Sequence, residues 1–509
     1  MRLYCGFMVR RTVAMARLGF RRATRVAGAP QEVLHVFVNN DIKRSHPRYR
    51  RWVLRVFGLE LLLIFVLAVV APTVLVPLLA TLVAFTAFYA WRARSQWGRA
   101  RGLPQGSVGV GTRPISDPDH YRNGFAAHGP IFKSNYLDLP MLCVEGIERG
   151  TRLFDEHEDQ LRPAASPWNR FIPGGLVRWM DGDTHDEYRR ILAGALGARL
   201  FTAVQPSIDE GIDRSCAAMA EACALDPSGA VQPFPRLIDM VFSIWADVFF
   251  GFRHDDQSTA EVLAIYDVIS LERQSPDREV RRALDRLEHL IRQQHASAAS
   301  AVEVRPTLLS EIERRQPDAL DRPTTVRNLI YLMESSGNDV AGLLNWVLKH
   351  AVDHPEILKE LGQGSVDEGP KSLANRMVSE TLRLEQSEEL ARVVRETFTF
   401  EDQVLPAKWA VRVRVHESHR DPSIFESPND YDPNRFLESL TPLEYAPFGV
   451  DKRACTGASL TRTIATSFIT KVATGYEVVS IADGPREFSK FRHWAPSSEW
   501  RTSWTVRSP

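Results

Sequence analysis

Phe448-Gly449-Val450-Asp451-Lys452-Arg453-Ala454-Cys455-Thr456-Gly457 sets one cysteine beside an arginine and between glycines. Glycine lets a backbone approach a flat ligand closely, because it has no Cβ. A single thiolate so placed suits an axial bond to a haem iron. Cysteinate pushes electron density onto the metal and favours O–O cleavage, leaving the opposite position to activate dioxygen. Such a thiolate needs shielding and backbone N–H donors, which Gly457 permits by lacking a Cβ that would meet the porphyrin. Arg453 stands two residues before the thiol, where its fork suits a propionate, and Phe448 suits the ring face. The bland competitor is a structural cysteine, since free cysteines are usually buried.

Outward from the loop, Glu380-Thr381-Leu382-Arg383 lies in the amphipathic run Leu373 to Leu384, where a spacing of three puts carboxylate and guanidinium on one helix face. The same spacing recurs at Glu187/Arg190, Glu279/Arg282, Glu311/Arg314 and Glu389/Arg392, where it reads as surface bridging. The sequel distinguishes Glu380 and Arg383: Arg420-Asp421-Pro422, Phe425, Asp432-Pro433-Asn434-Arg435-Phe436, then the cysteine loop. Upstream, Trp179 to Arg190 reads as a helix start with Asp183 as N-cap, and puts His185 and Arg189 at i and i+4 on one face.

In this order the segments resemble the cytochrome P-450 family over roughly residues 110 to 509, with Asp451 where that family usually has its second glycine. Asp tolerates the left-handed region better than most residues, so the turn survives. The resemblance implies a mainly α fold with a small β region and one b-type haem held by Cys455. It gives Arg453, Phe448, Gly449 and Gly457 to the haem-binding loop and makes His185, Arg189 and Arg392 propionate ligands. Arg435 becomes the third partner of a buried Glu380–Arg383–Arg435 network, structural rather than catalytic.

The oxygen-activating side departs from the family. A helical pattern runs from about Pro323 to His350, with Pro suited to its first turn. Within it, Ser336-Gly337-Asn338-Asp339-Val340-Ala341 occupies the place of the family's oxygen-activating segment. Gly337 would open a groove for dioxygen and Asp339 would relay protons. Val340 stands where the family has a threonine, and valine cannot donate a hydrogen bond. Proton delivery then falls to Asn338, Ser335 or Ser336, ordered water or the substrate. Otherwise the enzyme is a peroxygenase, or a haem-thiolate isomerase or dehydratase; a non-catalytic haem-binding membrane protein is the third reading.

Composition narrows the partners. The 509 residues are 44% hydrophobic and 25% charged with zero formal net charge, so no nucleic acid is implied. Five cysteines, at 5, 143, 216, 223 and 455, contain no C-x-x-C pair, which argues against a zinc site or disulfide scaffold. Residues 1–31 carry seven arginines and no acid and read, with residues to 51, as a basic tail. From Phe57 to Ala90 the only charge is Glu60. As one helix that run would be ~51 Å long, too long for a ~30 Å hydrocarbon core. Pro72 and Pro77 divide it, so residues 52–91 read as a membrane hairpin with the catalytic domain on the cytoplasmic face. An interfacial helix followed by one span competes with the hairpin.

Residues 92–114 read as a basic Gly/Pro hinge and 115–509 as the haem-thiolate domain. Helices are expected over Ile208 to Leu225, Leu237 to Phe250, Ala260 to Leu271 and Arg278 to Ala299, with strands near Leu390 to Phe400, Phe398 to Val404 and Ala407 to Val415. Met240, Phe242, Trp245, Phe249 and Phe250 form a stripe that reads as core. The implied activity is insertion of one oxygen atom into a lipophilic substrate. Electrons would come from a separate ferredoxin or flavoprotein reductase that docks near Lys452, since few residues follow Cys455.

Overall fold

The computed structural model describes residues 102–106, 117–136, 139–163, 167–270, 275–299, 305–364, 369–385, 389–488 and 494–507, with five positions between 80 and 87. The basic tail and almost all of the membrane hairpin lie outside the described residues. Residues 102–106 and 118–507 belong to one unit. Among the described residues no single helix is long and apolar enough to cross a membrane.

The unit opens with α1 (His120–His128), the hairpin β1 (Ile131–Tyr136) and β2 (Leu139–Val144), α2 (Ile147–Glu156) and β3 (Leu161–Arg162). Seven helices follow: α3 (Gly182–Ala195), α4 (Ala198–Leu225), α5 (Pro233–Phe250), α6 (Gln257–Ile269), α7 (Asp277–Ala299), α8 (Leu308–Arg315) and α9 (Pro323–Asp353). After α10 (Pro355–Gly362) and α11 (Leu373–Leu384), the chain returns to the sheet through β4 (Glu389–Val394). Strands β5 (Phe398–Phe400), β6 (Gln403–Leu405) and β7 (Ala410–Arg414) come next, then the single turn α12 (Val415–Ser418). Helix α13 (Ala458–Gly475) follows the cysteine loop, ahead of β8 (Tyr476–Ala482), β9 (Glu487–Phe488), β10 (Trp494–Ala495) and β11 (Arg501–Val506).

The helix boundaries have local causes. Asp181, not Asp183, caps α3 by accepting from Gly182 N at 3.2 Å, so the helix starts two residues earlier than its charge pattern suggests and Asp183 falls in the first turn. Thr307 and Ser310 cap α8 reciprocally, at 3.1 and 2.8 Å. Gly251, at φ 80°, ends α5 in the left-handed conformation. Helix α9 is buried along most of its circumference, which marks it as the centre of the molecule. It packs most extensively on α5, whose Met240, Trp245, Phe249 and Phe250 are buried, so that stripe is core.

Five strands make one sheet in the order β1-β2-β7-β4-β3, with β2 and β7 parallel and the other pairs antiparallel. The stretch expected as one strand over Phe398 to Val404 is instead the hairpin β5–β6. Glu401 and Asp402 both take positive φ at its tip, as a two-residue hairpin turn requires. Strand β4 stops at Val394 instead of running on to Phe400. The mainly helical unit with its small sheet thus presents two places where the chain leaves regular structure near α9: residues 171–181 and the loop before α13.

Candidate functional site

The loop before α13 turns twice through the left-handed region, at Gly449 (φ 79°) and Asp451 (φ 56°). Backbone bonds from Gly449 N to Ala446 O (3.0 Å), Ala454 N to Asp451 O (3.0 Å) and Cys455 N to Phe448 O (2.8 Å) close it. Its anchor is His419, fully buried, whose Nε2 accepts from Ala446 N at 3.0 Å. Burial, and then the charges of Arg383, His416 and Arg420, hold that imidazole well below its ordinary value, so it is a neutral acceptor.

Cys455 is the one exposed thiol among the described cysteines. Burial pushes Cys143 and Cys216 up to about 12, which makes them inert. Cys455 precedes the 18-residue α13 by three positions, and a helix N-terminus favours a thiolate. Gly457 is the N-cap of α13. A Cβ there would meet Cys455 Sγ at 3.8 Å, an ordinary contact, so no crowding within the protein demands this glycine. Phe448 packs against the helical core with the Arg462 guanidinium 5.3 Å from its ring centre.

A rim of cations stands beside the loop. Arg453 donates to Arg178 O (3.3 Å) and Met180 O (3.0 Å) and lies 3.4 Å from Asp181. Arg189 donates to Ala454 O at 2.6 Å, next to the thiol residue. His185, almost wholly buried, shares Nδ1 with Asp186 Oδ1 at 3.0 Å. Burial lowers its imidazole, Asp186 opposes that, and Arg453 and Arg189 add to it. Arg392 in β4 lies over the Phe154 ring and is pushed down to about 10 by burial and by Arg453. Asp181 and Glu158 offset this only in part, and Arg178 repels it further. Lys452 pairs with Glu158. Thus Cys455, Arg453, Arg189, His185 and Arg392 come together, and Arg178 joins them from an irregular segment whose sequence shows no period.

This rim fits a flat, carboxylate-bearing cofactor. Burial first, and then the charges of Arg453 and Arg178, hold Arg392 down, and Trp179 Nε1 beside them is a buried donor without a partner. Dianionic haem edges would supply the missing charge. A cavity of about 1190 Å³ between α1 and the ends of α9 and α11, lined by Glu385, His350 and Arg486 among others, contains none of these residues.

Behind the loop Glu380, Arg383 and Arg435 meet. Arg383 grips Glu380 through two bonds of 2.7 Å, both side chains fully buried, and Arg435 Nε reaches the same carboxylate at 3.2 Å. Arg383 also donates to His419 O and Pro428 O, and Arg435 to Glu426 O, so the network ties α11 to the chain entering the cysteine loop. The repeated i,i+3 spacing elsewhere differs: Arg314 pairs with Glu311 at 2.8 Å, whereas Glu389 pairs across the sheet with Arg412 and Arg414, not with Arg392.

The segment of α9 expected to activate oxygen is divided between helix faces. Gly337 faces α5, where a Cβ would come within 2.8 Å of the Phe242 ring. Its missing side chain serves helix packing against Phe242. Asn338 Nδ2 turns back to Glu334 O at 3.0 Å. Val340 is buried in the core. Asp339 is exposed, and with half-buried Leu332, Ser335 and Ser336 it forms a strip within about 100° of helix circumference, opposite Gly337. Tyr331 at the head of this strip hydrogen-bonds Ser335 and feels the charges of both Arg178 and Asp339. Asn328 Oδ1 accepts from Val177 N at 2.8 Å, pinning the Arg178 segment to α9. The Arg178 segment is thus bonded to α9 at Asn328 and to the cysteine loop at Arg453.

The Cytochrome P450 family model matches residues 371–492, from just before α11 through the cysteine loop and beyond. Abscisic acid 8'-hydroxylase 3 of Oryza sativa subsp. indica is 22% identical over 417 residues, covering 74% of this chain and 80% of its own. Putative cytochrome P450 138 of Mycobacterium bovis is also 22% identical, over 65% of this chain and 79% of its own. Among solved structures, the retinoic acid bound cyanobacterial CYP120A1 superposes with a TM-score of 0.66 at 18% identity, covering 80% of this chain and all of that one. A zebra fish cytochrome P450 with progesterone gives 0.62 at 17% identity, covering 76% and 99%. The family match thus falls on the segment that builds the thiol loop and its buried network, and along most of its length the chain shares the fold of solved cytochrome P450 structures.

Proposed function

We propose that the protein is a haem-thiolate monooxygenase that inserts one atom of dioxygen into an apolar organic substrate. The observation that carries this reading is the exposed Cys455 at a helix N-terminus beside a cluster of guanidinium groups, Arg189 donating to Ala454 O and Arg453 next to Asp181. Haem, when bound, supplies dioxygen activation, which thiolate ligation favours. Cys455 would hold the iron; Arg178, Arg392, Arg453, Arg189 and His185 would hold the propionates. Glu380, Arg383 and Arg435 fix the loop from behind, and Asp339 would pass protons in from solvent. The names of the rice relative and of the two solved structures, with abscisic acid, retinoic acid and progesterone, support a carbon-rich ring-bearing substrate.

A separate ferredoxin or flavoprotein would supply electrons, drawn to half-exposed Lys452 and the nearby arginines. Residues 52–91 would attach the domain to a membrane, on its cytoplasmic face. The deciding experiment supplies isotopically labelled dioxygen with a reductase and, separately, unlabelled dioxygen with labelled peroxide. Product carrying one oxygen from dioxygen only when electrons are supplied supports the reading. The buried, apolar Val340 favours a second one, a peroxygenase or haem-thiolate isomerase, in which peroxide alone suffices or the product gains no oxygen from either source.

A further inference from the structure

The cavity of about 1190 Å³ between α1 and the ends of α9 and α11 plays no part in the thiol site, and its lining is unbalanced in charge. Seven carboxylates line it against three arginines. Neighbours match several of the seven: Arg122 pairs with Asp119 at 2.8 Å, Lys349 with Asp353 at 2.6 Å and Arg414 with Glu417 at 3.0 Å. Among the described residues no cation pairs with Glu145, Asp421 or Asp430. Arg420, whose guanidinium donates to His416 O at 3.2 Å and Leu384 O at 2.6 Å, offsets one of these charges. With histidines counted as neutral, the lining is left two positive charges short.

Glu145 feels that deficit. Burial raises its carboxyl, Asp421 and Glu417 raise it further, and Arg149 opposes them least. Arg149 is committed to Glu401 at 3.1 Å. A separate observation comes from Glu385, the residue after α11, which is 3% exposed and lines the same cavity. Its carboxylate receives no hydrogen bond among the described residues, since His350 Nε2 stands at 3.7 Å and Arg486 at 3.6 Å. His350 Nε2 likewise has no hydrogen-bond partner. Buried carboxylates normally collect donors, so this one is open to a donor that the chain does not supply. Phe125, Leu384, Tyr431 and Trp494 give the cavity apolar wall, and its size admits a drug-sized molecule. Among the described residues no group of three or more His, Cys, Asp or Glu side chains is placed to hold a metal ion, so an organic cation is the fitting occupant.

We propose that this cavity is a second binding site, outside the haem pocket, for a small organic dication of the amine or guanidine class. One charged head pairs with Glu145 and Asp421, and an N–H of the other donates to Glu385. The apolar wall takes the carbon chain between them. The proposal does not rest on the monooxygenase reading.

The test is isothermal titration of the haem-loaded full chain with butane carrying a guanidinium at each end, beside the neutral bis-urea of the same length and hexanedioate. A guanidinium stays protonated and so cannot ligate haem iron, and it suits carboxylates through its fork of donors. The dication should bind at least about 10-fold more tightly than the bis-urea, the ratio that one charged hydrogen bond supplies. Glu145→Gln should lose about 10-fold of that affinity while the Soret band stays as in the parent. Because Glu145 makes no side-chain hydrogen bond or ion pair among the described residues, Glu145→Gln should fold and should raise the thermal midpoint of the unliganded chain by removing a repelling charge. Equal affinity for dication and bis-urea, tighter binding of hexanedioate, or unchanged affinity in Glu145→Gln overturns the proposal. So does a Soret shift that accompanies binding, which would move the dication to the haem pocket.

Discussion

Arg392 sits in β4 with its charge opposed by burial and by Arg453, and held down to about 10. A cation whose folded value lies below its ordinary value costs stability at every pH under 10, so at neutral pH the charge of Arg392 opposes folding. Arg392→Met should therefore raise the thermal midpoint of haem-free protein while weakening haem retention, measured by haem transfer to a scavenger. Equal changes in both would assign Arg392 a merely structural role. His419 gives the opposite kind of signal. Its folded value lies well below the ordinary 6.5, so its contribution is present above pH 6.5 and lost as the pH falls from there toward the folded value. The midpoint of the parent should drop through that window, and His419→Gln, which keeps an acceptor for Ala446 N, should flatten the slope.

At the scale of elements, α9 is held to α5 by the absence of one side chain. Gly337→Ala would drive a Cβ to 2.8 Å from Phe242 and should destabilise the fold by about 1–3 kcal/mol in denaturant unfolding, without altering the spectrum of bound haem. A spectral change with unaltered stability would restore Gly337 to the oxygen-binding side. The α11 network should respond more steeply. Glu380→Gln leaves two guanidinium groups facing a neutral amide in a dry site and should cost about 3–5 kcal/mol. What was legible here divides by locality. The cysteine loop and Glu380–Arg383 are read from neighbours in sequence, and the order of segments adds Arg435. Which face of α9 meets α5 is not written in its pattern, because a helix apolar nearly all round has no single stripe. The packing of Gly337 on Phe242 was not legible for that reason. Arg178 and His419 sit on a short turn and after one helical turn, where no period exists to mark them.

Across the whole molecule, charge is sorted by region: an arginine-rich start, an apolar stretch with Glu60 as its one charge from Phe57 to Ala90, and a net-acidic remainder that brings the whole chain to zero formal charge. If residues 52–91 anchor the protein, removing residues 1–91 should release it from membranes in flotation assays while leaving the haem spectrum unchanged. The central claim is that Cys455 holds haem as a thiolate, and the reduced carbon-monoxide difference spectrum of the purified full chain beside Cys455→Ser tests it most directly. The account predicts a thiolate-type Soret band in the parent that is lost in the variant; a parent that binds no haem, or a variant that keeps the band, would contradict it.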